Sequence, residues 1–105
     1  MDKIFDVMIL GAGAAGLSAG IYTSRGKLDT LILSEGVTGG QMVLTNEIAN
    51  YPGVETLKGY ELSAIMKRQA KSFGCTMKAN VKIRNYHLNE EVKSVELEDG
   101  RLFRA

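Results

Sequence analysis

Apolar and polar positions follow two different periods along the chain, and the changes of period predict the order of its elements. Residues 5–10 form a mostly apolar run, which is typical of a parallel strand covered on both faces. Small residues then continue as a helix over Ala14–Arg25, and a second apolar run at residues 28–34 predicts the next strand. The inner face of this helix is expected to carry Leu17, Ile21 and Tyr22.

The next part of the chain is a long irregular stretch, residues 35–59, in which a short helix is expected near residues 45–48. An amphipathic helix is predicted at residues 60–73, because apolar side chains recur there at helical spacing. Its apolar face is formed by Leu62, Ile65, Met66, Ala70 and Phe73. Residues 75–79 can form a third strand.

Alternating apolar and polar residues predict a β-meander in the last part of the chain. Its strands are expected at residues 81–87, 92–98 and 102–104. Asp99-Gly100 supplies the turn before the last of them.

The order strand, helix, strand, loop, helix, strand and meander predicts an α/β fold. It is typical of a doubly wound, Rossmann-like parallel sheet that is incomplete and carries a β-meander insertion. The 105 residues allow one domain, with residues 1–80 as its βαβ, loop, α and β part and residues 81–105 as the meander. Because a dinucleotide-binding fold would return to its central sheet after the meander, the chain is expected to be a fragment.

An incomplete sheet also predicts self-association. Residues 7–10 would be uncovered on one side, and exposed strand edges pair readily with other chains. We therefore expect the isolated segment, if soluble, to associate with itself.

A glycine-rich turn, Gly11-Ala12-Gly13-Ala14-Ala15-Gly16, follows the first predicted strand and opens the first helix. This is the G-x-G-x-x-G pattern of dinucleotide sites, in which the glycines permit a tight turn, close approach to phosphate and close helix–strand packing. N–H groups at Gly13, Ala14 and Ala15, together with the helix dipole, would attract a diphosphate. The alternative is a glycine-rich turn that binds nothing.

Glu35 ends the second predicted strand. A carboxylate at this distance from the glycine turn can accept both hydroxyl groups of an adenosine ribose, and it would repel a 2′-phosphate. The alternative is a solvated charge at the end of a strand.

Composition excludes several other functions. The thirteen Lys and Arg residues are scattered and nearly balanced by twelve Asp and Glu, so nucleic acid is not an expected partner. No apolar run approaches a membrane span, and the N-terminus has no signal-peptide pattern. One cysteine allows no internal disulfide and indicates a cytoplasmic protein. Cys75 is interpreted as a small buried apolar residue and His87 as a surface residue of the meander, so neither a metal site nor a catalytic residue is expected.

The sequence resembles a known family. Residues 6–19, followed by Ile21-Tyr22 and Arg25, are similar to the FAD-binding start of the flavin disulfide reductases. Other segments resemble more narrowly the low-molecular-weight thioredoxin reductases and the related alkyl hydroperoxide reductase flavoproteins. These segments are Gly39-Gly40-Gln41-Met42, Thr45, Glu47-Ile48, Asn50-Tyr51-Pro52-Gly53, Gly59-Tyr60-Glu61-Leu62 and residues 69–74. The resemblance covers essentially the whole chain, but only about the first third of such a protein.

The resemblance implies FAD as the cofactor and gives roles to particular residues. It places the glycine turn at the diphosphate, Glu35 at the adenosine ribose and Val81 near the adenine, and it places the Gly-Gly-Gln segment, the Thr and the Asn near the flavin. The residues implied in cofactor binding are Gly11, Gly13, Ala14, Ala15, Gly16, Glu35, Gly36, Gly40, Gln41, Thr45, Asn50 and Val81. From the residues alone, Thr45 and Asn50 could instead be capping or turn residues, and 51–53 a plain turn.

The resemblance also implies an activity. The parent protein would pass a hydride from NADPH to FAD and two electrons to an active-site disulfide, which reduces thioredoxin or a similar redox carrier, and it would be a homodimer. The rest of the FAD domain, the redox Cys-x-x-Cys pair and the NADPH domain would lie outside this chain. The chain alone is therefore expected to be inactive and to bind FAD weakly or not at all. Two alternatives are a non-catalytic nucleotide-binding module and a flavin subunit serving an alkyl hydroperoxide reductase-type system.

Overall fold

The fold is α/β, with a parallel sheet, two helices and an antiparallel meander. A computed structural model describes residues 3–40, 43, 51–53 and 58–105. The parallel sheet contains β1 (Val7–Leu10), β2 (Thr30–Leu33) and β3 (Thr76–Lys78), in the order β1-β2-β3. The expected parallel sheet is thus confirmed, with strands shorter than the apolar runs that predict them.

Two helices lie beside the sheet. Helix α1 (Ala14–Arg25) connects β1 to β2, and its bounds agree with the prediction from the sequence. Helix α2 (Gly59–Ser72) precedes β3 and has a capping box, in which the backbone N–H of Lys58 donates to Glu61 Oε1 at 2.9 Å. None of the helices in the described ranges is long and apolar enough to cross a membrane.

The meander forms a second, antiparallel sheet. Its strands are β4 (Ile83–His87), β5 (Ser94–Leu97) and β6 (Leu102–Arg104), paired in that order. The end of β6 lies beside the start of the parallel sheet, since the Phe5 N–H donates to the Arg104 carbonyl oxygen at 2.9 Å. The meander is therefore fastened directly to the residues that lead into β1.

Strand β2 separates two apolar clusters. Because side chains alternate along a strand, Ile32 points to one face of the sheet while Leu31 and Leu33 point to the other. On the first face Ile32 packs with residues of both helices: Leu17, Leu62, Met66 and Ala70. On the second face Leu31 and Leu33 pack with Phe5 and with residues from the meander side: Val81, Val95 and Leu97. The meander thus covers the face of the sheet that the helices leave open.

This packing corrects the expectation that residues 7–10 are uncovered on one side. Val7, Met8 and Ile9 are half-buried, and Met8 packs against the same cluster as the meander. The Leu10 side chain is 47% exposed. Among the described residues the outer edges of β1 and β3 stay open, because each of these strands pairs with β2 alone.

The predicted inner faces of the helices are wrong at three positions. Tyr22 is 69% exposed, Phe73 46% and Ile65 37%. On α2, Leu62, Met66 and Ala70 are buried as predicted, and Ser63 is buried in addition. The chain at Gly39 lies close to Ser63, since a Cβ on that glycine would collide with the Ser63 hydroxyl group.

Replacing Ile65 with serine tests whether this side chain lies outside the core of α2. Because Ile65 is more than one-third exposed, we expect Ile65→Ser to lower the free energy of unfolding by less than about 1 kcal/mol. The neighbouring change Met66→Ser should cost several times more, since Met66 is 4% exposed. Urea unfolding followed by circular dichroism measures both; equal losses would show that Ile65 belongs to the core.

Candidate functional site

The site begins at the turn between β1 and α1. Gly11 has a φ of +118°, a backbone conformation that residues other than glycine rarely adopt. Its N–H donates to the Leu33 carbonyl oxygen at 2.7 Å, so the turn stays joined to the end of β2. Helix α1 then begins at Ala14, with Gly13 at its N-cap and no side chain capping it.

Gly16 lets the helix press against this turn. A Cβ on Gly16 would overlap the Gly11 carbonyl oxygen and would lie 2.9 Å from its carbon. The third glycine of the motif is therefore required by packing within the protein, as the sequence predicts.

Gly13 has no such requirement. Its φ is −75°, and a Cβ built on it would meet nothing within 4 Å. The next two residues, Ala14 and Ala15, are exposed, and the first N–H groups of an α-helix have no partner within the helix. Packing among the described residues does not require glycine at residue 13, although glycine is preferred to alanine at an N-cap. An anion bound in the same space would also favour glycine.

Residues 34–36 form the second segment of the site, at the end of β2. The Ser34 hydroxyl group lies 2.9 Å from the Gly36 carbonyl oxygen and 3.2 Å from its N–H, which holds the turn in shape. Glu35 is exposed, and its Oε2 accepts a hydrogen bond from the Ile83 N–H at 3.2 Å. A Cβ on Gly36 would also meet nothing within 4 Å. The carboxylate and the glycine turn thus stand on adjacent strands at the same end of the sheet.

Gly39 and Gly40 form the third segment and lie against the glycine turn. The Gly39 N–H donates to the Ala12 carbonyl oxygen at 2.6 Å. Both residues have positive φ, +102° and +53°, and a Cβ on Gly40 would come 3.3 Å from the Gly13 Cα. The structure therefore brings Gly40 to the turn, although the two are far apart in the sequence.

Val81 contributes differently from the other predicted residues. Its N–H donates to the Ser34 carbonyl oxygen at 3.1 Å, and its side chain is 7% exposed in the cluster beneath the meander. Its amide is thus already used within the protein. Val81 supports the turn that carries Glu35.

Three predicted residues, Gln41, Thr45 and Asn50, lie outside the described residues, and so does the short helix expected near residues 45–48. Of the segment that resembles the family beyond Asn50, residues 51–53 are described and exposed. The described part of the site therefore consists of the glycine turn, residues 34–36, Gly39-Gly40 and Val81.

Neither the cysteine nor the histidine belongs to this site. Cys75 is 6% exposed in the cluster between sheet and helices, and burial raises the pKa of its thiol, so little thiolate is present near neutral pH. His87 is exposed on β4. Among the described residues no group of three His, Cys, Asp or Glu side chains is placed to hold a metal ion.

Sequence reasoning did not find the backbone of residues 80–83. The N–H groups of Asn80, Val81 and Ile83 donate to Gly36, Ser34 and Glu35, respectively. No sequence motif predicts hydrogen bonds from main-chain N–H groups to residues more than forty positions away. The arrangement places the start of α1 and the Glu35 carboxylate at one edge of the sheet, which suits an adenosine diphosphate with free ribose hydroxyl groups.

Comparison with known proteins points to the same group of proteins. The profile of the family described as pyridine nucleotide-disulphide oxidoreductase matches residues 5–104. A thioredoxin reductase of Aquifex aeolicus is 47% identical over an alignment of 105 positions, which covers 99% of this chain and 32% of that protein. A thioredoxin reductase of Listeria monocytogenes is 55% identical over 73 residues, 70% of this chain and 23% of that protein.

Solved structures agree in fold. The crystal structure of Lactococcus lactis thioredoxin reductase superimposes with a TM-score of 0.86 at 39% identity. The match covers 96% of this chain and 33% of that one. The chain therefore spans about a third or less of the relatives it matches.

Proposed function

The chain belongs to the pyridine nucleotide-disulphide oxidoreductase family, and we propose that it is the FAD-binding portion of an NADPH-dependent disulfide oxidoreductase of the thioredoxin reductase type. The observation that carries this proposal is Gly13. Its Cβ position is open although its φ suits any residue, and the exposed residues Ala14 and Ala15 follow it at the start of α1. A diphosphate at this position accounts for the glycine and for the amides.

Each part of the described site has a proposed role toward the cofactor. The amides of Gly13, Ala14 and Ala15 would hold the diphosphate, and Glu35 would accept the hydroxyl groups of the adenosine ribose. Gly11 and Gly16 would shape the turn. We further propose that the remaining predicted residues contact the adenine or the flavin: Gly36, Gly40, Gln41, Thr45, Asn50 and Val81.

When bound, FAD would accept a hydride and pass two electrons on, which is chemistry that no side chain proposed for this site supplies. The residues of this chain bind and orient it, and none of them is proposed as a catalytic residue. The partners proposed for the whole protein are NADPH, thioredoxin or a similar redox carrier, and a second subunit in a homodimer. A cytoplasmic location is part of the same proposal.

A flavin titration with competitors tests the binding role. We expect the chain alone to bind FAD weakly, with half-saturation at about 0.1–1 mM, because the flavin gains few contacts from the diphosphate and ribose end. ADP should compete for this binding, whereas FMN, which has no adenosine, should not. Quenching of flavin fluorescence measures both.

Three outcomes are informative here. Failure to bind ADP at millimolar concentration would contradict the proposed contacts with the diphosphate and the ribose. Binding of ADP with exclusion of FAD would favour a non-catalytic nucleotide-binding module. Tight, stoichiometric FAD binding would contradict the expected weakness of the isolated chain and leave the binding role intact.

A further inference from the structure

We propose that the backbone N–H of Ile83 is a positioning group for Glu35, so that the meander orients the carboxylate that receives the ribose. This inference rests on the proposed binding of an adenosine diphosphate group. Its geometric basis is the hydrogen bond of 3.2 Å from the Ile83 N–H to Glu35 Oε2, which joins residues 48 positions apart.

The Ile83 amide is free for this role because of its place in the meander. Strand β4 is an edge strand, since the order of the sheet is β4-β5-β6. On the side of β5, the bond at this end runs from the Glu98 N–H to the Lys82 carbonyl oxygen, and the Leu97 N–H donates to Arg101. The Ile83 N–H therefore points away from the sheet, where an edge amide would otherwise bond to water.

Two further bonds fix the relative position of the same segments. The Asn80 N–H donates to the Gly36 carbonyl oxygen, and the Val81 N–H to that of Ser34, both at 3.1 Å. Each residue of the turn 34–36 is thus bonded to the segment 80–83. Since the Val81 side chain is buried beneath the meander, this segment cannot shift without disturbing the core.

The bond to Ile83 restricts the carboxylate without consuming it. Among the described residues, Glu35 Oε1 has no hydrogen-bond partner, so it remains available to a ribose hydroxyl group. An exposed glutamate without such a bond samples many rotamers, and a ligand would have to restrict them. Ile83 removes part of this cost before the ligand arrives, which is preorganisation of the binding site.

A proline at residue 83 removes the N–H and also replaces the Ile83 side chain, which is partly buried and packs against the cluster beneath the meander. Proline is tolerated at the start of an edge strand, and no bond to β5 depends on this amide. Ile83→Ala is the matched control, because it removes the side chain and keeps the N–H. The two ligands compared are ADP and 2′,3′-dideoxy-ADP, which differ only in the ribose hydroxyl groups.

We expect the wild-type chain to bind ADP about tenfold more tightly than dideoxy-ADP in a calorimetric or NMR titration. In Ile83→Pro this preference should fall to about twofold while the affinity for dideoxy-ADP is retained. Ile83→Ala should keep the wild-type preference. In a Glu35→Ala background the proline should change the preference no further, because the group it orients is gone.

Other results would overturn the inference. A proline variant that keeps the tenfold preference shows that the N–H does not orient Glu35. An equal loss of affinity for both ligands shows a purely structural role. If the wild-type chain binds neither ligand, the proposed function itself is contradicted. This result differs from one in which both ligands bind and only the positioning role of Ile83 fails.

A measurement on the unaltered protein covers the case in which the proline variant does not fold. The Ile83 amide resonance of the wild-type chain should move when ADP is added and move much less with dideoxy-ADP. An Ile83 resonance that responds equally to both ligands, or to neither, overturns the inference.

Discussion

Replacing Gly16 with alanine is expected to lower the free energy of unfolding by about 3 kcal/mol or more. The added Cβ would overlap the Gly11 carbonyl oxygen and lie 2.9 Å from the Gly11 carbonyl carbon, and both are backbone atoms that cannot rotate away. The helix must therefore move away from the strand. We expect this shift to cost more free energy of unfolding than the roughly 1–3 kcal/mol that is usual for an overpacked core. Chemical denaturation followed by far-ultraviolet circular dichroism measures the loss.

Gly20→Ala is the matched control in the same helix. Its Cβ would meet Ile32 Cδ1 at 2.7 Å, which is the end of a flexible side chain, and Cys75 Sγ at 3.4 Å. The better helix propensity of alanine offsets part of the strain, so we expect a loss of about 1 kcal/mol or less. Equal losses for Gly16→Ala and Gly20→Ala would contradict a special role for contact between α1 and the turn.

Gly13→Ala should have the opposite profile, with a loss of stability of only about 1 kcal/mol at the N-cap and a large loss of binding. Gly13 has a φ of −75°, and its Cβ would point into open space, so the folded chain accepts alanine. A methyl group there would occupy the space proposed for the diphosphate. We expect affinity for ADP to fall by about tenfold or more, equivalent to about 1.4 kcal/mol of binding free energy.

Gly26→Ala serves as the control for this binding experiment. Gly26 also has a φ of −75°, its Cβ would make ordinary contacts at 3.4 and 3.5 Å, and it lies at the far end of α1. It should leave both binding and stability nearly unchanged. A Gly13→Ala variant that binds ADP as well as the wild type would remove the main support for the diphosphate site.

Local sequence signals were sufficient for most of the elements. Helix α1 occupies the predicted residues 14–25, because its small side chains lie between a glycine turn and Gly26. The strands are shorter than the apolar runs, since residues at the ends of a run can be buried without ladder pairing. Phe5 is an example: it is 8% exposed and belongs to the core, yet it precedes β1.

Periodicity correctly predicted three inward positions of α2, Leu62, Met66 and Ala70, but not Ser63. The chain at Gly39 passes close to Ser63, and the Ser63 hydroxyl group donates to the Thr38 carbonyl oxygen at 3.4 Å. Ile65 and Phe73 are apolar enough for the core but stand on the wrong side of this contact. Hydrophobicity gives the width of an apolar face, whereas contacts distant in sequence select its direction.

The candidate site likewise has parts that the sequence predicts and parts that depend on distant contacts. Its glycine turn is a local motif, and Glu35 follows from the distance to the next strand, so both could be predicted. The main-chain bonds from residues 80–83 could not, because they depend on how the meander packs against the parallel sheet. Such long-range main-chain contacts carry no residue preference that a sequence would display.

Strand β2 couples the stability of the meander to that of the helices, because it packs against both. Leu31 and Leu33 are 0% and 1% exposed in the cluster shared with the meander, and Ile32 is 1% exposed in the cluster shared with the helices. Detachment of the meander would expose one face of this strand, and detachment of the helices the other. Neither layer can melt without weakening the other, so the chain should unfold in a single cooperative transition rather than as two separate units.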